Sequence, residues 1–206
     1  MKHVSGLYII DGDTVEEHNL TRQCFQKEDI GYPKASVLAE VLNDAFGLYW
    51  RAYPTYLTSV SQLEDMLELE DGDIPVILGC VDNHGCRLIL ESFFMKNDNC
   101  IYYDSANEFI SGEVVMSYKI KGNQISPLRS EIFSDILQGD LRNVTELSCE
   151  EMNVSTPQHI SVNMLAGLIL LSAVTQLITD NIVKPGMVSF NAQTFNQEYF
   201  PLCISS

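Results

Sequence analysis

The chain has 206 residues, a formal net charge of −16 at pH 7 and a pI near 4.4. This length fits one domain with its own core, and a hydrophobic fraction of 46% argues against intrinsic disorder. A chain this acidic is repelled by nucleic acid and by anionic membrane surfaces, so we expect neither as a partner.

The N-terminal sequence MKHVSGLYII has no apolar run long enough for a signal peptide. The six cysteines are scattered without a C-x-x-C pair, and no two histidines lie at ligand spacing. This pattern is typical of free thiols in a reducing compartment and predicts neither a disulfide framework nor a zinc site. We therefore expect a cytoplasmic protein without zinc.

The first predicted element is a buried strand at Leu7–Ile10, which ends at Asp11 and Asp13. Carboxylates at the carboxyl end of a parallel strand can accept hydrogen bonds from ribose hydroxyls. Arg22 and Lys34 follow, and such cations neutralise phosphates. This stretch therefore predicts a nucleotide site, although an isolated Asp-Gly-Asp is more often an ordinary strand-end turn.

Helices and strands then alternate along the first half of the chain. The run of residues 34–43 predicts a helix whose apolar face packs on a sheet, and the run 75–80 predicts a central parallel strand. The alternation predicts an α/β fold with a Rossmann-like, doubly wound and mainly parallel sheet. The other predicted elements are a strand at 48–57, a helix at 61–69, a helix at 85–95 and a strand at 100–104.

Asp82 and Asn83 follow the predicted central strand. A carboxylate in this position can hold Mg²⁺ while leaving coordination positions for water. Asp82 could equally be the N-cap of the helix that begins near His84, and both roles can hold at once. We expect Arg87 to be structural and to pair with an acid.

The second half has a different pattern. Residues 112–122 alternate with period two, which predicts an antiparallel strand with one buried face. Residues 126–153 predict a crossover loop with at most one short helix, and 161–179 predict a long apolar helix. Polar residues interrupt that helix and no basic flank follows it, so we expect a buried helix or a dimer face and no membrane span. Strands are predicted at 187–191 and 198–203.

Residues 11–35 contain the pattern D-x-D-x-V-E-x-x-N-L-x-R-Q followed by D-I-G-x-x-K-A. This pattern resembles the signature of the ThiF/MoeB and ubiquitin-activating enzyme superfamily. Asp82, Asn83 and Arg87 resemble its D-N-x-x-x-R motif, and the resemblance extends over residues 7–122. The G-x-G-x-x-G turn of the superfamily does not occur in the sequence. We therefore expect a single domain over residues 1–206 that is N-terminally truncated relative to the family, with a nucleotide-binding half at 1–110.

The resemblance implies ATP-dependent adenylation of the C-terminal carboxylate of a small ubiquitin-like or sulfur-carrier protein. It also implies ATP and Mg²⁺ as ligands and a homodimer or pseudo-dimer. It assigns Mg²⁺ to Asp82, and catalysis to Asp82 and Arg22. It assigns the nucleotide to Asp11, Asp13, Asn19, Arg22, Lys34 and Asn83.

Cys149 is the cysteine of the predicted crossover loop, where activating enzymes of this kind keep a catalytic thiol. Glu146, Glu150 and Glu151 surround it, and negative charge raises a thiol pKa, which opposes that role. The missing glycine turn supports a different class of function. The chain could be a catalytically inactive ThiF-like binding module or partner subunit, or a fragment without the phosphate-binding turn.

Overall fold

The structure is a computed structural model that describes residues 4–138 and 159–204. The chain forms two compact units, Lys2–Asp71 and Gly72–Ser206. The predicted division of the chain at residue 110 stays a prediction.

The first unit is built on a parallel pair of short strands, β1 (Leu7–Ile10) and β2 (Trp50–Tyr53), with Ile10 opposite Tyr53. Helix α1 (Lys34–Phe46) connects the two strands, and α2 (Val60–Leu67) follows β2. Because the strands are parallel, their carboxyl ends lie side by side. The turns that follow β1 and β2 therefore meet at the same edge of this sheet.

Helix α1 does not bury the face that the sequence predicted. Its buried residues are Lys34, Ala35 and Ala39, whereas Leu38 and Val41 are 37% and 58% exposed. Two strands of four residues form a sheet too narrow to cover a broad apolar helix face. The helix therefore packs through its small side chains.

The second unit contains a mixed sheet of six strands. They are β3 (Val76–Gly79), β4 (Cys100–Asn107), β5 (Ser111–Ile120), β6 (Asn123–Gln124), β7 (Gly186–Asn191) and β8 (Asn196–Pro201). Their order is β3-β4-β5-β7-β8, with β6 paired to β5. β3 and β4 are parallel, and the other neighbours are antiparallel. This arrangement confirms the predicted α/β fold with parallel early strands and antiparallel later ones.

The helices of this unit are α3 (His84–Lys96), α4 (Arg129–Ile132) and α5 (Ile160–Asp180). A 3₁₀ turn at Ser134–Gln138 follows α4, so the described part of the predicted crossover loop holds two short helical segments instead of at most one.

β3 lies at an edge of this sheet, whereas its apolar run predicted a central strand. Val76 and Leu78, which share one face of β3, are exposed.

Both faces of β5 are buried, although the sequence predicted one buried face. On one face, Val114 and Met116 belong to the core cluster with residues of α5. On the other, the Ser117 hydroxyl donates to the Pro127 carbonyl at 2.7 Å and the Lys119 ammonium to the Met95 carbonyl at 2.6 Å. Lys119 and Ser117 fit a buried face because backbone carbonyls satisfy their polar ends.

Helix α5 packs one face on the sheet through Val162, Ala166 and Leu170. Among the described residues it is also the one helix long and apolar enough to cross a membrane, with 28% of its most apolar window buried. Leu168 and Leu171 are more than 60% exposed. The helix is thus a core helix on one side and has an exposed apolar face on the other.

Candidate functional site

The predicted acidic turn follows β1, and both of its carboxylates accept hydrogen bonds from within the chain. The Asp11 carboxylate accepts the Asp13 backbone N–H at 2.9 Å. The Asp13 carboxylate accepts hydrogen bonds from the Lys34 ammonium at 2.8 Å and from the Tyr56 hydroxyl at 2.7 Å. A Cβ on Gly12 would lie 2.5 Å from the Tyr56 ring, so only glycine lets the ring cover this turn.

The charge of Asp13 is set by two opposing effects. Burial raises the pKa of its carboxyl, whereas the hydrogen bonds from Lys34 and Tyr56 and the charges of Lys34 and Arg22 lower it. The second group of effects is larger, so the pKa of Asp13 lies below its ordinary value. Asp13 is therefore an anion at neutral pH and holds Lys34 in place.

Lys34 is the first residue of α1, and its side chain is 10% exposed. Its backbone N–H donates to the Asp13 carbonyl at 2.9 Å, so backbone and side chain are tied to the same residue. The sequence assigned Lys34 to phosphates. An ammonium has three N–H donors, so a bond to Asp13 is compatible with a further acceptor.

Asn19 lies in the 3₁₀ segment Glu17–Thr21, and Arg22 is the C-cap residue of that segment. Asn19 is 1% exposed, and its side-chain carbonyl accepts the Glu16 N–H at 2.9 Å. The Arg22 Nε is buried and has no hydrogen-bond partner among the described residues. Because an unsatisfied buried donor costs free energy, this guanidinium is suited to receive an anion from outside the chain.

Tyr56 has no predicted role at the site, because the sequence predicts it inside a strand at 48–57. It lies three residues beyond Tyr53, where β2 ends, and donates to Asp13 across the two parallel strand ends. No local motif marks Tyr56, because its contact with Asp13 depends on the parallel pairing of β1 with β2.

In the second unit, Asp82 is exposed and lies between β3 and α3. The N-cap of α3 is Asn83, whose side chain accepts the Cys86 N–H at 2.9 Å. The N-cap role that the sequence offered to Asp82 therefore belongs to its neighbour. Within residues 4–138 and 159–204, no three His, Cys, Asp or Glu side chains cluster as in a complete protein metal site.

Arg87 pairs with a buried acid, as expected. Its Nε donates to the Asp104 carboxylate at 3.1 Å, and Asp104 is 1% exposed. Arg129 donates its Nε to the other oxygen of the same carboxylate. No sequence motif marks Asp104 or Arg129, although an aspartate inside an apolar strand is a signal of a buried charge that needs partners.

A comparison with protein families supplies the deciding observation, because the ThiF family model matches residues 4–205. The chain belongs to the ThiF family. Comparison with curated proteins gives no significant match.

Solved structures show the same ThiF fold. The microcin C7 biosynthetic enzyme MccB in complex with N-formylated MccA aligns with a TM-score of 0.72 and 14% identity, covering 96% of this chain and 58% of that chain. Escherichia coli MccB with ATP aligns with a TM-score of 0.68 and 14% identity, covering 96% and 56%. PaaA aligns with a TM-score of 0.64 and 17% identity, covering 93% and 63%. The chain thus spans less than two thirds of the length of these structures, and the similarity establishes the fold.

Cys149, the candidate catalytic thiol of this ThiF chain, lies outside the described residues. Burial raises the pKa of the Cys86 thiol to about 11 and that of Cys100 to about 12. Both thiols are therefore protonated at neutral pH and are poor nucleophiles.

Proposed function

We propose that this chain catalyses ATP-dependent adenylation of the C-terminal carboxylate of a small protein or peptide. A carboxylate oxygen attacks the α-phosphorus of ATP and forms a C–O–P linkage. The bond from the α-phosphorus to the oxygen that bridges to the β-phosphorus breaks, and pyrophosphate leaves. This step needs alignment and charge neutralisation more than proton transfer.

The observation that carries the proposal is the unsatisfied, buried Nε of Arg22. It belongs to a guanidinium whose charge acts on Asp13, which also holds the Lys34 ammonium. Two cations at the carboxyl ends of a parallel strand pair suit the phosphates of a nucleotide. Escherichia coli MccB has been solved with ATP, which supports the same substrate for this ThiF-family chain.

We assign the remaining residues of the first unit by their contacts. Asp11 would accept ribose hydroxyls, since a carboxylate offers about four acceptor positions. Asp13 would hold Lys34 toward the phosphates. Asn19 would act by shaping the turn that presents Arg22, because its side-chain carbonyl is bonded to the Glu16 backbone.

Asp82 would hold Mg²⁺. This ion usually takes one or two protein carboxylates and completes its shell with substrate phosphates and water, so one exposed aspartate fits the requirement. The ion would supply positive charge that neutralises phosphate oxygens. Asn83 would support Asp82 through its cap on α3.

The identity of the protein or peptide whose carboxylate accepts the adenylyl group is the finer part of the proposal. MccB structures with MccA support a small protein or peptide as partner, and we propose a ubiquitin-like or sulfur-carrier protein within that class. We also propose a homodimer or pseudo-dimer, supported by the exposed apolar residues Leu168 and Leu171 on α5. Cytoplasmic location stays a prediction.

One observation favours a second function, that of an inactive ThiF-like binding module or partner subunit. The Lys34 ammonium is paired with Asp13, so it does not depend on a nucleotide phosphate for charge compensation. A chain that keeps the fold and binds a partner without turnover would retain this pair.

ATP binding by calorimetry and ATP–pyrophosphate exchange test the proposal on the full chain with Mg²⁺ and carrier proteins. Arg22→Ala should weaken ATP binding about 10- to 100-fold, the equivalent of one hydrogen bond to a charged group. Arg51→Ala is the matched control, because this exposed arginine of the same unit pairs with Glu68. Asp82→Ala should abolish exchange.

A carrier whose C-terminus is amidated must give no exchange, since it lacks the attacking carboxylate. ATP binding without exchange for any carrier would support the inactive module. Absence of ATP binding by the unmodified chain would overturn the adenylation proposal.

A further inference from the structure

We propose that Asp104 positions Asp82 through Arg87. The inference rests on the proposed function, in which Asp82 holds Mg²⁺, and it adds a residue that the sequence motifs did not mark. Asp104 lies on β4 and would be a positioning residue, because it acts through a second side chain and does not itself touch the ion.

The Asp104 carboxylate is fixed at both oxygens. Oδ1 accepts the Nε–H of Arg87 at 3.1 Å, and Oδ2 accepts the Nε–H of Arg129. Asp104 is 1% exposed, and the two arginines are 5% and 3% exposed. Because water is excluded, Arg87 depends on this carboxylate for charge compensation and orientation, whereas Arg129 also pairs with the Glu113 carboxylate at 3.5 Å.

Arg87 transmits that orientation to the loop that carries Asp82. Its Nη2 donates to the Val81 carbonyl and, at 3.1 Å, to the Ser105 carbonyl. The Val81 carbonyl belongs to the same planar peptide group as the Asp82 N–H. Fixing this carbonyl therefore fixes the backbone of Asp82 on its N-terminal side.

The loop is also held on the C-terminal side of Asp82. The Asn83 side chain accepts the Cys86 N–H at 2.9 Å, and the Asn83 carbonyl accepts the Arg87 N–H at 3.2 Å. Asp82 itself is exposed. The result is a solvent-facing carboxylate on a restrained backbone, as an ion with strict octahedral geometry requires.

Arg129 provides the matched control. It is a buried arginine on the same carboxylate, but its Nη2 donates to the carbonyls of Asp104 and Glu113, at 3.1 and 3.0 Å, on β4 and β5. Arg129→Lys and Arg87→Lys each disturb the same ion cluster and keep the charge. Of the two arginines, Arg87 is the one that donates to Val81, so only Arg87→Lys should loosen the Asp82 loop.

The test combines NMR order parameters of backbone amides with metal binding, on the full chain. In the ligand-free, unmodified chain, the backbone amides of Asp82 and Asn83 should have order parameters of about 0.85. In Arg87→Lys and in Asp104→Asn, these order parameters should fall below about 0.6. With ATP present, the affinity for Mn²⁺ as a probe of the Mg²⁺ site should fall about 10- to 100-fold in these two variants. Arg129→Lys should leave both quantities unchanged.

Unchanged order in Arg87→Lys would overturn the proposal, as would an equal loss of order in Arg129→Lys. A loosened loop with unchanged Mn²⁺ affinity would also overturn it. If Asp104→Asn does not fold, the two lysine variants carry the test. Failure of the unmodified chain to bind ATP would count against the proposed function, and the order parameters would still decide whether Asp104 positions the loop.

Discussion

Asp13 and Asp104 each accept two side-chain donors, yet they occupy opposite environments. Asp13 is bound by Lys34 and Tyr56, and its side chain is 47% exposed. Asp104 is bound by two arginines, and its side chain is 1% exposed. A donor at a solvent-exposed carboxylate can also bind a ligand. A donor at a buried carboxylate cannot leave without producing an unpaired buried charge. The first cluster is therefore suited to binding and the second to holding a backbone.

The largest difference should appear when each carboxylate is removed. Asp104→Ala leaves two buried guanidiniums without their common acceptor, and we expect a loss of about 3–5 kcal/mol in the free energy of unfolding. Urea unfolding followed by circular dichroism measures it. Asp13→Ala is the matched variant and should lose clearly less, because water replaces the carboxylate. Equal losses would show that the two clusters do not differ in the way proposed.

Gly12→Ala tests how tightly the Tyr56 ring covers the acidic turn. The new Cβ would overlap the base of the ring, which a rotation of its hydroxyl end cannot relieve. We expect a loss of about 1–3 kcal/mol, typical of overpacking. The single tryptophan, Trp50, lies on β2 of the same unit, so its fluorescence during urea unfolding reports this change.

Gly167→Ala is the control for a glycine that is not required. Gly167 lies inside α5, and its added Cβ would meet no atom within 4 Å beyond the adjoining backbone of the helix itself. Alanine should therefore stabilise the helix by about 0.5–1 kcal/mol, seen in the circular-dichroism transition. The two glycine variants should shift stability in opposite directions, and a shift of the same sign would contradict this account of Gly12.

The contrast between the two clusters also explains what the sequence could predict. The predicted nucleotide residues of the first unit lie within one short stretch, so a local motif was enough to propose them as a group. They are Asp11, Asp13, Arg22 and Lys34. The ion pair of Asp13 with Lys34 joins residues that this motif contains. Tyr56 reaches Asp13 only because β1 and β2 are parallel, which is a property of the folded sheet.

The buried cluster was out of reach for the same reason. Arg87 lies on α3, which follows β3, and it contacts Asp104 because β3 and β4 are neighbours in the sheet. Arg129 lies on α4, which follows β6 in the chain, and donates to the same carboxylate. The two buried faces of β5 and the exposed side of α1 likewise depend on which elements cover them. Hydrophobic periodicity predicts that a helix or strand forms, but the width of the neighbouring layer decides which side chains become buried.

The smallest expected effect concerns pH, and it separates the two clusters by titration. The folded-state pKa of Asp13 is lowered relative to the unfolded chain, where an aspartate titrates near about 3.9. Its contribution to stability is therefore present above that pH and is lost as pH falls through the lower folded-state pKa. The difference in urea midpoint between the unmodified chain and Asp13→Asn, followed by Trp50 fluorescence, should be largest near about pH 6.

That difference should shrink as the pH falls below about 4, because the unfolded chain then binds a proton at Asp13 more readily than the folded chain does. Tyr56→Phe sharpens the test. It removes one of the hydrogen bonds that lower the pKa of Asp13 and keeps the ring over Gly12, so the acid loss of stability should be smaller and complete at a higher pH than in the unmodified chain. Tyr32→Phe is the control, because Tyr32 is 62% exposed in the same unit and should leave the pH dependence unaltered. A midpoint difference that stays constant from pH 6 to below pH 4 would show that Asp13 contributes through shape and not through its charge.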